Sequence, residues 1–221
     1  MMNLETARHH MIQQQLRTCE RMSPDTVDML YASRREHYVP AASRSFAYAD
    51  TAIPLSPTAA MLTPKLEVRL LQEANVQAGE TVLEVGTGSG HMAALLAERA
   101  ARVWTVEIDA ALAETARANL AADGAANVTV ETGDGLDGLP GHAPYDCIVV
   151  SGGVAEIPAT LTAQLKVGGR LFAFVAPAGK APVMVLRRIV RQATDTYVEA
   201  DLLETAVPML QGGETVRKFL F

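Results

Sequence analysis

The stretch that decides the fold is residues 82–90, which read Val-Leu-Glu-Val-Gly-Thr-Gly-Ser-Gly. The apolar run Thr81–Val85 contains β-branched residues and predicts a strand, and the three glycines that follow it predict a tight turn. The residues after Gly90 are rich in Ala and Leu and predict a helix. A strand, a glycine-rich turn and a helix in this order are typical of the ligand-binding edge of a doubly wound α/β sheet.

The rest of the chain alternates β-rich runs with helical stretches, and this alternation predicts a mostly parallel, doubly wound sheet of the Rossmann-like class. The predicted strands are residues 81–85, 102–106, 128–131, 147–150, 170–175, 183–190, 197–203 and 216–221, and the predicted helices between them are residues 92–100, 110–122 and 158–165. The order of the last strands in the sheet is left open.

The pattern of residues 1–63 predicts an N-terminal helical cap that precedes the α/β domain of residues 64–221. Apolar residues at helical spacing predict a first helix near the N-terminus, and Ser23 followed by Pro24 predicts the start of a second. The segment 40–64 is rich in Pro, Ala, Ser and Thr and predicts a long ordered loop. About 60 residues are too few for a stable core of their own, so we expect the cap to pack on the sheet domain.

Length and composition exclude several classes of protein. The chain has 221 residues, 49% of them hydrophobic and 20% charged, which is enough for a full core and argues against disorder. Nineteen basic and 25 acidic residues give a formal charge of -6, which argues against a nucleic-acid partner. Residues 64–150 carry thirteen acidic and five basic residues, so the negative charge is concentrated around the glycine-rich turn.

The cysteine content and the hydropathy predict the cellular compartment of the protein. Cys19 and Cys147 are far apart and form no CxxC pattern, so we expect neither a disulfide framework nor a metal site. The first residues lack the pattern of a signal peptide, and no apolar stretch reaches about 18 residues. We therefore expect a cytoplasmic protein without a membrane partner; its oligomeric state is left open.

Acidic residues distinguish the glycine-rich turn from a dinucleotide site. Glu84 directly precedes the turn, where its charge would repel a phosphate and attract an amine or a sulfonium. The spacing G-x-G-x-G also departs from the G-x-G-x-x-G of dinucleotide binders, because His91 stands where that pattern has Gly or Ala. These features argue against NAD as the ligand. For His91 itself, two roles stay open: it is either a polar residue at the start of a helix or a catalytic residue.

Two further acids follow the next strands. Glu107 ends the second predicted strand, and its two oxygens can accept from both hydroxyls of a ribose. Asp134 lies between Gly133 and Gly135, where it can accept from an adenine amino group while the glycines leave room for the ring. Three acids at neighbouring strand ends predict a site for a cationic nucleoside, and S-adenosylmethionine is the natural candidate.

These residues resemble the protein-L-isoaspartate O-methyltransferase family, which belongs to the class I S-adenosylmethionine-dependent methyltransferases. The resemblance covers most of the chain. It extends to residues 35–40 (similar to R-x-x-F-V-P), residues 47–50 with 53–55 (similar to A-Y-x-D-x-x-L-P-I), and residues 82–90, 127–128, 133–135, 143–146, 156–158 and 164–171.

The resemblance implies transfer of a methyl group from S-adenosylmethionine to a carboxylate of L-isoaspartyl residues in damaged proteins. The cofactor contacts that it and the acidic pattern imply are Glu84, Gly86, Thr87, Gly88, Ser89, Gly90, Glu107, Ile108, Asp134 and Gly135. The residues expected on the substrate side are Leu62, Thr63, His91 and Ser151.

One segment departs from the family pattern. The family carries T-I-S-Q-P before its third helix, with the Ser beside the methyl acceptor, whereas residues 60–64 read Ala-Met-Leu-Thr-Pro. Leu62 stands in place of the Ser, and the neighbouring Thr63 is the candidate catalytic residue that could supply a hydroxyl. Two alternatives therefore stay open: a methyltransferase with another acceptor, such as a small carboxylate, or an S-adenosylmethionine-binding protein with impaired catalysis.

Overall fold

The computed structural model describes residues 3–17, 22–176 and 183–214. The strands of this part of the chain are β1 (Ile53–Pro54), β2 (Ala60–Met61), β3 (Thr81–Val85), β4 (Arg102–Glu107), β5 (Val128–Thr132), β6 (Tyr145–Val154), β7 (Leu165–Val175), β8 (Met184–Ala193) and β9 (Thr196–Thr205). The α-helices are α1 (Leu4–His10), α2 (Pro24–Ala32), α3 (Pro64–Ala74), α4 (His91–Ala97), α5 (Ala110–Asp123) and α6 (Ala159–Ala163).

Seven of these strands form one sheet in the order β5-β4-β3-β6-β7-β8-β9. The strands from β5 to β7 pair in parallel, while β8 and β9 are antiparallel additions at the edge beside β7. The predicted mostly parallel, Rossmann-like sheet is thereby confirmed, and the order of β8 and β9 is now known. The predicted strand at residues 216–221 lies outside the described residues.

Helices pack on both faces of the sheet because its central strands are apolar on both sides. Along β6, Cys147 and Val149 point into one core, whereas Ile148 and Val150 point into the other. The first core also contains side chains of α3, α4 and α5, and the second contains Leu161 of α6. This two-sided burial is expected for parallel strands covered by crossover helices.

The helix starts follow the capping signals in the sequence. Ser23 caps α2 as predicted, with its hydroxyl accepting from the Thr26 N–H at 3.2 Å. Asp109 caps α5 by accepting from the N–H groups of Ala111 and Leu112. These caps satisfy N–H groups that have no partner inside the helix.

The N-terminal segment shares a core with the sheet domain. Helix α1 continues into a π-helical turn, Met11–Leu16, in which Ile12 and Leu16 are fully buried together with Leu70 of α3 and Leu96 of α4. The long loop predicted for residues 40–64 contains a 3₁₀ helix, Ala41–Phe46, and the short β1–β2 hairpin. The division of the chain at residue 63 stays a prediction.

Among the residues that the structure describes, no helix is both long and apolar enough to cross a membrane.

Ile12→Ala is expected to lower the free energy of unfolding of the whole chain by about 2–5 kcal/mol, because it leaves a cavity in a core common to α1, α3 and α4. Ile12→Val removes one methylene group and should cost only about 0.5–1.5 kcal/mol. Urea titrations followed by circular dichroism and by Trp104 fluorescence measure both effects. A separate early transition of the N-terminal segment, with the main transition unchanged, would show that the segment does not belong to this core.

Candidate functional site

The glycine-rich turn lies at the carboxyl end of β3, between the ends of β4 and β6. Gly86, Gly88 and Gly90 have φ angles of +91°, +54° and +89°, in the left-handed region that favours glycine. The Gly86 N–H donates to the Val106 carbonyl at 2.9 Å and so joins the turn to the end of β4. These three positions therefore require glycine, because the chain reverses its direction directly above the sheet.

A cleft of about 750 Å³, open to solvent, lies over these strand ends. Several of the residues predicted from the sequence line it together: Gly86, Gly88, Glu107, Ile108, Asp134, Gly135 and Ser151.

The Glu107 carboxylate is held in place by two backbone N–H groups. One oxygen accepts from the Gly88 N–H at 2.8 Å, and the other accepts from the Asp109 N–H at 3.0 Å. Only 7% of the residue is exposed, yet it lines the cleft. A carboxylate oxygen has more than one lone pair, so both oxygens can accept further hydrogen bonds from a ligand's hydroxyl groups.

Asp134 and Gly135 form the neighbouring wall of the cleft. Asp134 accepts from the Leu136 N–H at 3.0 Å, and this bond starts the 3₁₀ helix Gly135–Asp137. A Cβ atom at Gly135 would lie 2.7 Å from a methyl group of Val85, so this position requires glycine to pack against β3. Ile108 is 40% exposed and offers an apolar surface on the same side of the cleft as Glu107.

Glu84 has a different environment from the other two acids. It is fully buried and does not line the open cleft. Its carboxyl accepts from Thr105 Oγ1 at 2.7 Å and from Ser151 Oγ at 2.8 Å. Burial raises the pKa of Glu84 to about 8, because the two hydroxyl donors do not offset the loss of water. The group is thus mostly protonated at neutral pH, and the expected attraction of Glu84 for a cationic ligand stays a prediction.

A second, smaller cavity of about 290 Å³ adjoins the cleft. Cleft and cavity share four lining residues, Ala60, Gly86, Gly88 and Ser151. The predicted site residues that line it are Leu62, Glu84, Gly86, Thr87, Gly88, Ser89, His91 and Ser151. The predicted cofactor-side and substrate-side residues therefore meet at this cavity.

Leu62 and Thr63 are placed differently. Leu62 lines the smaller cavity and is 5% exposed. Thr63 lines neither cavity, and its hydroxyl caps α3 by accepting from the Leu66 N–H at 3.4 Å. The proposed catalytic hydroxyl of Thr63 thus has a structural role in this conformation, and the wall beside the glycine-rich turn is apolar at residue 62.

Several residues of the site were not assigned to it from the sequence. The cleft is also lined by two loop segments, residues 56–60 and 208–211. Leu210 packs so closely on the end of β6 that a Cβ atom at Gly152 would lie 2.6 Å from its methyl group. Arg35 and Glu67 lie buried beside His91, behind the smaller cavity. These residues are distant in sequence from the glycine-rich turn, so only the tertiary fold reveals their position.

Glu84→Gln is expected to stabilise the protein relative to the parent by an amount that grows from pH 5 to pH 8. The unfolded chain releases the Glu84 proton near the ordinary pKa of 4.5, whereas the folded protein keeps it up to about pH 8. The folded state therefore binds more protons in this window, and the parent loses up to about 1.4 kcal/mol of stability per pH unit. Glutamine does not titrate and avoids this loss.

Urea unfolding at pH 5, 6, 7 and 8 measures the effect, with Glu156→Gln, at an exposed position, as the matched control. A difference between Glu84→Gln and the parent that stays constant with pH would contradict the raised pKa of Glu84.

Comparison with families of known proteins agrees with the resemblance read from the sequence. Residues 6–212 match the family described as Protein-L-isoaspartate(D-aspartate) O-methyltransferase. A protein-L-isoaspartate O-methyltransferase of Brucella anthropi is 38% identical over 205 residues, which cover 91% of this chain and 92% of that protein. A protein of the same name from Syntrophotalea carbinolica is 36% identical over 211 residues, which cover 96% of this chain and 96% of that protein.

Solved structures show the same fold. One protein-L-isoaspartate O-methyltransferase superposes with a TM-score of 0.79 at 25% identity, covering 95% of this chain and 66% of the other. A Plasmodium falciparum protein described as a putative member, in complex with S-adenosyl-L-homocysteine, superposes with a TM-score of 0.78 at 18% identity and covers 96% of this chain and 99% of its own. The chain therefore belongs to the protein-L-isoaspartate O-methyltransferase family.

Proposed function

We propose that this protein transfers a methyl group from S-adenosylmethionine to the free carboxylate of L-isoaspartyl residues in peptides and proteins. The observation that carries the proposal is the cleft over the glycine-rich turn, which both Glu107 and Asp134 line. Membership of the family supports both the donor and the class of acceptor.

The residues of the cleft fit S-adenosylmethionine. Glu107 is oriented in advance by its two N–H donors and suits the two ribose hydroxyls. Asp134 is placed to accept from the adenine amino group, and Ile108 offers an apolar contact to the ring. Gly86 and Gly88 have no side chains between the cleft and the backbone, so the amino-acid part of the donor can lie close to the turn.

The donor, when bound, supplies an activated methyl group on a sulfonium. The chain has to bind the donor, orient the acceptor and exclude water. An isoaspartyl carboxylate has an ordinary pKa of about 4 and is ionised at neutral pH, so the reaction needs no strong general base. This agrees with the apolar side chain of Leu62 at the smaller cavity.

The substrate-side residues remain part of the proposal. Leu62, His91 and Ser151 line the smaller cavity, where we place the acceptor, whereas Thr63 contributes by capping α3. We further propose that the partners are proteins or peptides with an isoaspartyl carboxylate rather than nucleic acid or membranes. A cytoplasmic location is supported by the buried, unpaired thiol of Cys147, which suits a reducing compartment.

Incubation with methyl-labelled donor tests the acceptor class. An isoaspartyl peptide should form a base-labile methyl ester, whereas the same peptide with an ordinary aspartyl residue should not. Absence of the ester at high enzyme concentration, with donor binding intact, would overturn the proposed acceptor. A panel of small carboxylates in the same assay then distinguishes an enzyme with another acceptor from one with impaired catalysis.

Glu107→Ala is expected to weaken binding of S-adenosylhomocysteine, the product form of the donor, by about 10- to 150-fold. The substitution removes charge-assisted hydrogen bonds worth about 1.5–3 kcal/mol. Titration calorimetry measures the change, with Glu114→Ala as the control, because Glu114 is exposed and pairs with Arg117 on the outside of α5. Unchanged affinity of Glu107→Ala would contradict the placement of the ribose.

A further inference from the structure

Three charged or polar side chains are buried at the smaller cavity, and a partly buried serine contacts one of them. Arg35, Glu67 and His91 are only 2%, 4% and 3% exposed, and Ser33 joins them from the end of α2. We refer to these four residues as the buried charged cluster. They come from three separate parts of the chain: the N-terminal segment, α3 and α4.

The Arg35 guanidinium uses all three of its nitrogens. Nε donates to the Ala47 carbonyl at 2.9 Å, and Nη2 donates to the Leu62 carbonyl at 2.7 Å. Nη1 forms an ion pair with the Glu67 carboxylate and lies 3.2 Å from Nδ1 of His91. One side chain therefore connects two backbone segments to α3 and α4.

Glu67 and His91 complete the connection to the glycine-rich turn. Glu67 Oε1 lies 3.0 Å from His91 Nδ1, and the other ring nitrogen of His91 is 3.0 Å from Ser33 Oγ. Burial alone raises the pKa of Glu67, but Arg35 and His91 outweigh it and lower the pKa below its usual value. Glu67 is therefore ionised and balances the charge of Arg35.

The position of the cluster distinguishes it from an ordinary ion pair. His91 directly follows Gly90, the last glycine of the turn, and the Leu62 carbonyl accepts from Arg35. Both residues, and Glu67, line the smaller cavity. A buried ion pair is seldom more stabilising than apolar side chains of the same size, so its hydrogen-bond geometry is the property that a hydrophobic core could not supply.

We propose that the buried charged cluster positions the acceptor-side segment, residues 60–63, against the glycine-rich turn, so that the acceptor carboxylate lies in line with the methyl group of the donor. This inference rests on the proposed function. Arg35 acts as a positioning residue, because it holds the Leu62 backbone and lines neither the cleft nor the smaller cavity. Glu67 and His91, which do line the smaller cavity, connect Arg35 to the start of α4.

Arg35→Lys is the sharpest test, because lysine keeps the buried positive charge but cannot donate to Glu67, Leu62 and Ala47 in a fixed fork. We expect kcat/KM for an isoaspartyl peptide to fall by about 100-fold, the size associated with a misplacement of about 1 Å. The Kd for S-adenosylhomocysteine should stay close to that of the parent, while the melting temperature should fall modestly, because the buried Ala47 and Leu62 carbonyls lose donors. Arg187→Lys is the matched control, since Arg187 pairs with Asp201 on the β8–β9 hairpin.

Amide hydrogen exchange of residues 60–63 gives a readout that does not depend on turnover. Arg35→Lys should speed exchange in this segment and leave exchange in β3 and β4 unchanged. Unchanged exchange together with unchanged kcat and KM would overturn the inference. A parallel loss of donor affinity, acceptor activity and melting temperature would also overturn it, because it would indicate a general structural role.

If the lysine variant fails to fold, the double variant Arg35→Met/Glu67→Leu replaces the ion pair with apolar side chains. Because both charges are removed together, neither is left buried without its partner. It should bind the donor product and still lose acceptor activity. Should the parent itself form no isoaspartyl methyl ester, the proposed function fails, and faster exchange of residues 60–63 in Arg35→Lys still supports the positioning role.

Discussion

Parallel pairing of β3 with both β4 and β6 is the constraint on which the site depends. It places the carboxyl ends of the three strands at one edge of the sheet, so the glycine-rich turn, Glu107 and Ser151 converge there although they are far apart in sequence. The hydrogen bond from the Gly88 N–H to the Glu107 carboxylate then connects the turn to β4. Cleft and cavity both form around this junction.

Small differences in environment give the acids at this edge different properties. Glu107 keeps a face to the cleft and is oriented by backbone N–H groups, which suits an acceptor of hydroxyl groups. Glu84, one strand away, has no exposed surface and holds its proton at neutral pH while it accepts hydrogen bonds from Thr105 and Ser151. Desolvation, rather than residue type, therefore raises the pKa of Glu84.

The N-terminal segment contributes more than a cover for the sheet. It buries Ile12 and Leu16 in the core and brings Arg35 to the back of the smaller cavity. Through Arg35 the segment holds the Leu62 carbonyl, and through Ser33 it contacts His91 at the start of α4. The segment 60–63 and the start of α4 are thus joined by buried and partly buried polar contacts.

The sequence by itself determined the strand–turn–helix unit at residues 82–90, the parallel sheet class, the Ser23 cap and the acids at the strand ends, because each depends on local spacing and backbone conformation. Only the tertiary structure decided that Glu107 lines the open cleft whereas Glu84 is fully enclosed, and that the Thr63 hydroxyl caps α3. Likewise, only folding brings Arg35 within hydrogen-bonding distance of Leu62, 27 residues away. Burial and long-range contacts depend on how separate elements pack, and no local pattern in the chain records that packing.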